Sequence, residues 1–169
     1  MSRGRVEAIG APREIARQPS TPFVARFLGY NVVEGTISEG AAAGVPARIT
    51  LAPTFAVSGV AAPGLAAGAP GVLCVRREHV RVEKSTAGPR SSGSDRREQF
   101  FSGVVRAISF QGLHQEYVLD LGGIMLRAVG APFEVQEGDT VAITIDRDNC
   151  VILPSRASAS RQERTGIAR

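Results

Sequence analysis

Apolar positions change their rhythm once along this chain. Up to residue 31 they recur at helical spacing, and from Val32 onward they alternate or gather in short runs. The first stretch, Gly10–Asn31, predicts two short helices. Pro12 and Pro22 each occupy a first helical position, where a missing N–H costs nothing, and Pro19 separates the segments. Thr21 is placed to cap the second helix, and Gly29 to stop it. Within it Phe23, Val24, Phe27 and Leu28 fall on one face. Burying four such side chains is worth roughly 6–12 kcal/mol as an upper bound, so that face is expected to lie against the following β domain or an upstream one.

Beyond Val32 the pattern predicts strands. Val32–Ile37 and Val45–Leu51 alternate, the latter with Val45, Ala47, Ile49 and Leu51 on one side. Ala61–Gly71 is rich in Ala, Gly and Pro and is predicted as a loop. Gly71–Arg76 and Val80–Glu83 follow as strands. Ser85–Arg97 carries the Ser, Gly, Pro and charged residues of a flexible linker. Gln99–Ser109, Glu116–Leu121, Ile124–Val129, Thr140–Asp146 and Cys150–Leu153 are five further strands, with Gly122-Gly123 marking a tight hairpin, Arg147–Asn149 a second turn and Gly112 a bend. Five short antiparallel strands of this kind fit a small OB-like barrel. Pro154–Arg169 is almost devoid of apolar residues and is expected to be disordered. The chain thus divides at 1–31, 32–84, 85–98, 99–153 and 154–169; no convincing internal repeat emerges, although the two β halves around the linker are candidates for a shared structure.

Composition narrows the classes. The 169 residues hold one modest domain or slightly more, and no apolar run approaches the roughly 18 residues of a membrane span or forms the core of a signal peptide. Cys74 and Cys150 sit in apolar runs without metal spacing, as buried thiols of a cytosolic protein would. The net charge of +4 invites a nucleic-acid partner, yet its distribution argues against one. Residues 1–26 and 154–169 each carry a net +3, whereas residues 100–153 carry three arginines against seven acids. A strand-rich half that is acidic does not make the basic, aromatic-lined groove that single strands require.

Candidate chemistry is sparse. Arg76, Glu78 and His79 form the most site-like cluster; residues two apart on a strand share a face, so Arg76 and Glu78 are expected to form a structural ion pair. His114 follows the Gly112 bend and is expected in solvent. Asp139, Asp146 and Asp148 lack calcium-loop spacing, and no G-x-S-x-G elbow accompanies any serine. The only lysine, Lys84, follows Glu83, so the phosphate-cradling G-x-x-x-x-G-K-[ST] pattern is missing.

Several runs nonetheless resemble a known family. Gly4, Val6, Gly10, Pro12 and Ile15 match the run that closes the ATPase domain of ATP-binding cassette (ABC) import ATPases of the maltose, spermidine/putrescine and iron(III) type. Pro19, Phe23, Val24, Ala25, Phe27, Leu28, Gly29 and Asn31 match the run that opens their regulatory domain. Val75–Val80 is similar to their "V-R-P-E-H-hydrophobic" segment, with Arg77 in place of proline. Gly103-Val104-Val105, Phe110-x-Gly112, Tyr117-x-Leu119 and Gly138-Asp139-x-Val141 resemble the transport-associated OB (TOBE) domain.

The resemblance implies a mainly β, OB-like TOBE barrel behind a short helical N-terminal connector. It implies a regulatory piece without the ATPase domain, either a truncated gene product or a module encoded apart from its partner. Such a piece would dimerise or couple with its counterpart. Its partners would be the ABC ATPase domain and permease subunits, with a homodimer possible and no nucleic acid. It would lie at the cytoplasmic face of the membrane, associated only through the permease. Mg-ATP belongs to the intact family protein; without Walker A, signature or Walker B motifs this chain should hold no cofactor and be inactive alone. By the same resemblance Arg76, Glu78 and His79 would be framework elements near the regulatory interface, as would the connector residues Phe23, Val24, Phe27, Leu28 and Asn31. A free-standing module for a small ligand or oxyanion is the alternative, and an OB-type nucleic-acid binder the third.

Overall fold

The computed structural model describes residues 8–40, 46–53, 55–62, 65–85 and 97–155. The expected linker core, residues 86–96, and the tail, residues 156–169, lie outside them. Two short helices, α1 (Pro12–Arg17) and α2 (Pro22–Phe27), lead into ten strands. Both helices begin at their prolines; the Thr21 side chain accepts from the Val24 amide at 3.2 Å, and Gly29 takes a positive φ of 79° just past the end of α2.

The strands are β1 (Tyr30–Glu39), β2 (Pro46–Ala52), β3 (Phe55–Ala61), β4 (Pro70–Arg76) and β5 (Val80–Lys84), followed by β6 (Glu98–Gln111), β7 (His114–Asp120), β8 (Met125–Gly130), β9 (Thr140–Asp146) and β10 (Cys150–Pro154). Strand β3 went unpredicted, although Phe55, Val57, Gly59 and Ala61 alternate inward along it. A β7–β8 hairpin turns at Gly122 and Gly123, both at positive φ (69° and 96°), as the glycine pair predicts.

The strands divide between two sheets, and the division is not sequential. β1, β2, β3, β10 and β4 close a barrel in that order; β5, β9, β6, β7 and β8 form a five-stranded sheet. The five strands predicted to build one barrel in the second half are therefore split, because β10 leaves to close the first barrel while β5 joins their sheet. Each exchange runs through a 3-10 turn, Arg77–His79 after β4 and Arg147–Asn149 after β9.

The exchange is symmetric, and the two β halves around the linker, which show no convincing sequence repeat, are structural repeats. Ile37 donates to Ala69 O (2.9 Å) and accepts from the Gly68 amide (2.8 Å); Val105 donates to Asp139 O (2.9 Å) and accepts from the Gly138 amide (2.8 Å). The pairing β1–β4 begins at Tyr30–Arg76, and β6–β9 at Glu98–Asp146.

One apolar core runs through both sheets, with Ile37, Ile49, Val57, Leu73 and Ile152 inside the barrel and Leu119, Leu126, Ile143 and Ile145 inside the second sheet, all sealed from solvent. Phe55 of β3 meets Phe101 of β6 edge-on at 4.8 Å between centroids, across the two units. β10 runs parallel to β3 (Val151 opposite Val60, Ile152 opposite Ala61), and Gly59 makes this possible. A Cβ there would lie 2.8 Å from the Cys150 carbonyl oxygen.

Cys74 and Cys150 are fully buried on neighbouring strands, but they do not face each other. Cys150 stands opposite Val75, one position off, so the thiols point to opposite sides of the barrel wall, Cys150 into the main core and Cys74 into a smaller cluster with Ala25, Tyr30 and Leu153. Burial pushes the Cys74 thiol up to about 12, only partly opposed by Arg26, and burial drives Cys150 further in the same direction. Neither thiol is expected to react with Ellman's reagent at pH 8 in the folded chain. Both should be released together as urea unfolds the barrel; rapid labelling of either one without denaturant would contradict this packing.

Candidate functional site

Two buried carboxamides lock the units together. Asn31 of β1 donates Nδ2–H to Arg127 O of β8 (2.8 Å) and accepts the Arg127 amide on Oδ1 (2.7 Å). Gln99 of β6 donates Nε2–H to Ser58 O of β3 (2.9 Å) and accepts the Ser58 amide on Oε1 (2.7 Å). Each side chain completes the hydrogen bonding of one residue on the opposite unit, as an added strand would. They are 8% and 5% exposed. Asn31 was singled out by its place in the connector run; Gln99 was missed, and only the repeat, which puts both on the strand entering each unit, points to it.

The connector meets the barrel unevenly. In α2, Pro22, Val24 and Ala25 are buried and Phe23 is half-buried, whereas Phe27 is 82% exposed and Leu28 37%. The four apolar residues expected on one face thus separate, because the helix ends at Phe27 and the chain turns into β1 at Gly29–Tyr30. None of the residues of α1 is buried. Its described tie is polar: Ala16 O accepts from Tyr30 Oη at 2.6 Å and from Arg76 Nη2, while Arg76 Nε donates to Tyr30 Oη at 2.9 Å. The Arg76 guanidinium also lies 5.2 Å above the Tyr30 ring.

The expected Arg76–Glu78 ion pair is not formed. The 3-10 turn ends the strand at Arg76, so the two residues no longer share a strand face; Glu78 points to solvent, while Arg76 turns to α1. Arg77 supplies the ion pair instead, with Glu116 of β7 at 2.8 Å, and Glu116 also faces Arg127 at 3.4 Å. His79 is half-buried, and His114 is exposed at the start of β7. Asp146 and Asp148 face Arg97, which lies 3.6 and 2.7 Å from them. Among the described residues no group of His, Cys, Asp and Glu is placed to hold a metal ion.

Two hollows flank the exchanged strands. One, of about 620 Å³, lies where β5 and β8 run side by side without a hydrogen-bonded ladder, with Val82, Val129 and Phe133 on its walls. Tyr117 also lines it; burial raises its phenol pKa, partly offset by a backbone hydrogen bond at Phe133. The other, of about 960 Å³, lies between α1 and the barrel and is lined by Glu14, Arg17, Tyr30, Arg76, His79 and Asp148, among others. The only sequence signal for it was the Arg76–His79 segment.

An OB-like barrel whose last strand returns from a second, repeated β unit defines a class of tandem, strand-exchanged β modules. Comparison with known proteins agrees. The cytoplasmic molybdate-binding protein ModG superposes with a TM-score of 0.63 at 20% identity, covering 75% of this chain and 97% of that one. Residues 73–153 match the family model described as TOBE domain. An iron(III) import ATP-binding protein of Streptomyces avermitilis is 32% identical over 162 residues, 94% of this chain and 41% of the relative. A spermidine/putrescine import ATP-binding protein of Acidothermus cellulolyticus is 36% identical over 120 residues (70% and 29%), and an sn-glycerol-3-phosphate import ATP-binding protein of Burkholderia mallei 38% over 92 (52% and 25%). The chain is a TOBE region of the kind carried by ABC importer ATP-binding subunits. It spans less than half the length of these relatives.

Truncating either carboxamide leaves a buried N–H and C=O without partners, each worth about 1–3 kcal/mol. Asn31→Ala and Gln99→Ala should each lower the urea-unfolding free energy by about 2–4 kcal/mol. A loss below about 0.5 kcal/mol in both would mean that the units do not depend on these clips.

Proposed function

We propose that this chain is the regulatory region of an ABC importer ATP-binding subunit, acting beside an ATPase domain and permease subunits at the cytoplasmic face of a membrane. Its work is to hold the ATPase domains in coupled pairs through protein contacts, with the chain itself binding neither Mg-ATP nor a metal. The observation that carries this reading is the connector. Two short helices precede the barrel, and Phe27 and Leu28 turn outward from the second, leaving an apolar spot where an upstream ATPase domain would pack. No described helix is long and apolar enough to cross a membrane.

A chimera tests the reading. The matching segment of the Streptomyces iron(III) relative is replaced by this chain, and ATPase-subunit pairing is followed by analytical ultracentrifugation in Mg-ATP. Retained pairing supports the regulatory role, and loss of pairing with both parts folded overturns it. Calorimetric titration of the chain alone should show no preference for Mg-ATP over inorganic phosphate; a stoichiometric micromolar site that prefers Mg-ATP would refute the assignment of nucleotide binding to another domain.

A second reading, a free-standing small-oxyanion module, draws on the likeness to ModG, a molybdate-binding protein. Micromolar molybdate binding by the isolated chain would favour it.

The connector yields a further test. Phe27→Asp should reduce self-association in sedimentation while moving the unfolding free energy by less than about 0.5 kcal/mol, since the side chain is 82% exposed. A loss of several kcal/mol would place Phe27 in this domain's own core.

A further inference from the structure

Among the described residues most arginines are matched by a carboxylate, and the unmatched ones are unevenly placed. Arg13, Arg17, Arg48 and Arg76 have no carboxylate within ion-pair distance among the described residues. Three of these four gather at one place. Arg17 and Arg76 line the hollow between α1 and the barrel, and Arg13 lies one helical turn before Arg17.

The groups around them favour an anion. Arg76 spends Nε and Nη2 on neutral oxygens, the Tyr30 hydroxyl and the Ala16 carbonyl, and no described group bonds its Nη1. Asp148 lines the same hollow but is already engaged by Arg97 at 2.7 Å and Arg147 at 3.8 Å. Glu14 is the one acid there without such a partner. His79 and Asn149 add hydrogen-bonding side chains to the wall. Guanidinium groups with no carboxylate at ion-pair distance recognise phosphate and carboxylate through paired N–H···O bonds.

We propose that this hollow binds a small multivalent anion, a phosphate- or polycarboxylate-bearing solute, bridged between Arg17 on the connector and Arg76 on the barrel. The anion would tie α1 down at a point where the chain provides only polar bonds and no buried side chain, so its occupancy would set how firmly the connector is held. That consequence rests on the regulatory reading; the binding chemistry does not.

Calorimetric titration of the full 169-residue chain at fixed ionic strength tests the site, with inorganic phosphate, sn-glycerol 3-phosphate and citrate as probes and spermidine as a cationic control. One anion per chain is expected, weakened roughly tenfold by Arg17→Gln. A surface substitution at Arg17 should leave the unliganded melting temperature unchanged, and His79→Gln gives a second, smaller loss. Hydrogen exchange of the Arg13–Gln18 amides should slow on binding. Tighter binding of sn-glycerol 3-phosphate than of phosphate marks an organic phosphate, and the reverse order a free anion. No saturable heat with any of the three anions, an affinity untouched by Arg17→Gln, or equal binding of spermidine would overturn the proposal. The measurement uses no ATPase domain, so its failure and a failed chimera are separate results.

Discussion

Everything in this structure depends on two amide side chains standing in for backbone. A strand edge facing a neighbouring unit must find partners for its N–H and C=O groups, and here the partner is not a strand but Asn31 in one direction and Gln99 in the other. A carboxamide has the same donor and acceptor as a peptide group, so it can satisfy a strand edge at a position where no neighbouring strand pairs with it. Because the two contacts are related by the repeat, each unit supplies the clip that the other needs. The apolar core can then run continuously through both sheets without leaving polar backbone stranded between them.

The exchanged strands follow from the same economy. β4 and β9 each end in a 3-10 turn that sends the next strand into the other sheet, and the residues after these turns, Val80 and Cys150, are fully buried. The outcome is not equal on the two sides. Gly59 lets β10 approach β3 closely enough for a parallel ladder, while β5 stands beside β8 without one, and a hollow remains there. Helix α1 lies over the closed side, held by Tyr30 and Arg76, so the two sides of one repeated design carry different surfaces.

Much of this was legible in the chain. Proline-started helices, the Gly122-Gly123 hairpin and nine of the ten strands follow from spacing and turn chemistry. Strand β3 was hidden by Gly59 and the small residues beside it, which weaken the strand signal yet are small because another strand passes over them. The exchange was invisible because strand periodicity reports which face is buried and not which sheet a strand joins. The repeat could have been seen. Val72–Val82 and Ala142–Ile152 both run apolar strand, charged residue, arginine, acid, polar residue, apolar strand, and Val-Ala-Ala-Pro at 60–63 answers Val-Gly-Ala-Pro at 129–132. At the site, the sequence singled out Asn31 and Arg76 as structural residues. The partner of Arg76 was not, since a 3-10 turn rotates Glu78 away and leaves the arginine to a helix carbonyl sixty residues earlier.

The return of β10 has a consequence for how the chain comes into being. The barrel that opens at Tyr30 acquires its fifth strand only at Cys150, so it stays an open four-stranded sheet until nearly the whole described sequence has been synthesised. Pairings of such long sequence separation are slow to form, because loop closure precedes the contacts that reward it. During translation the exposed edges of β3 and β4 have no partner. A ribosome-bound intermediate of this protein is thus an unfinished barrel, and its completion is timed by the last strand to emerge.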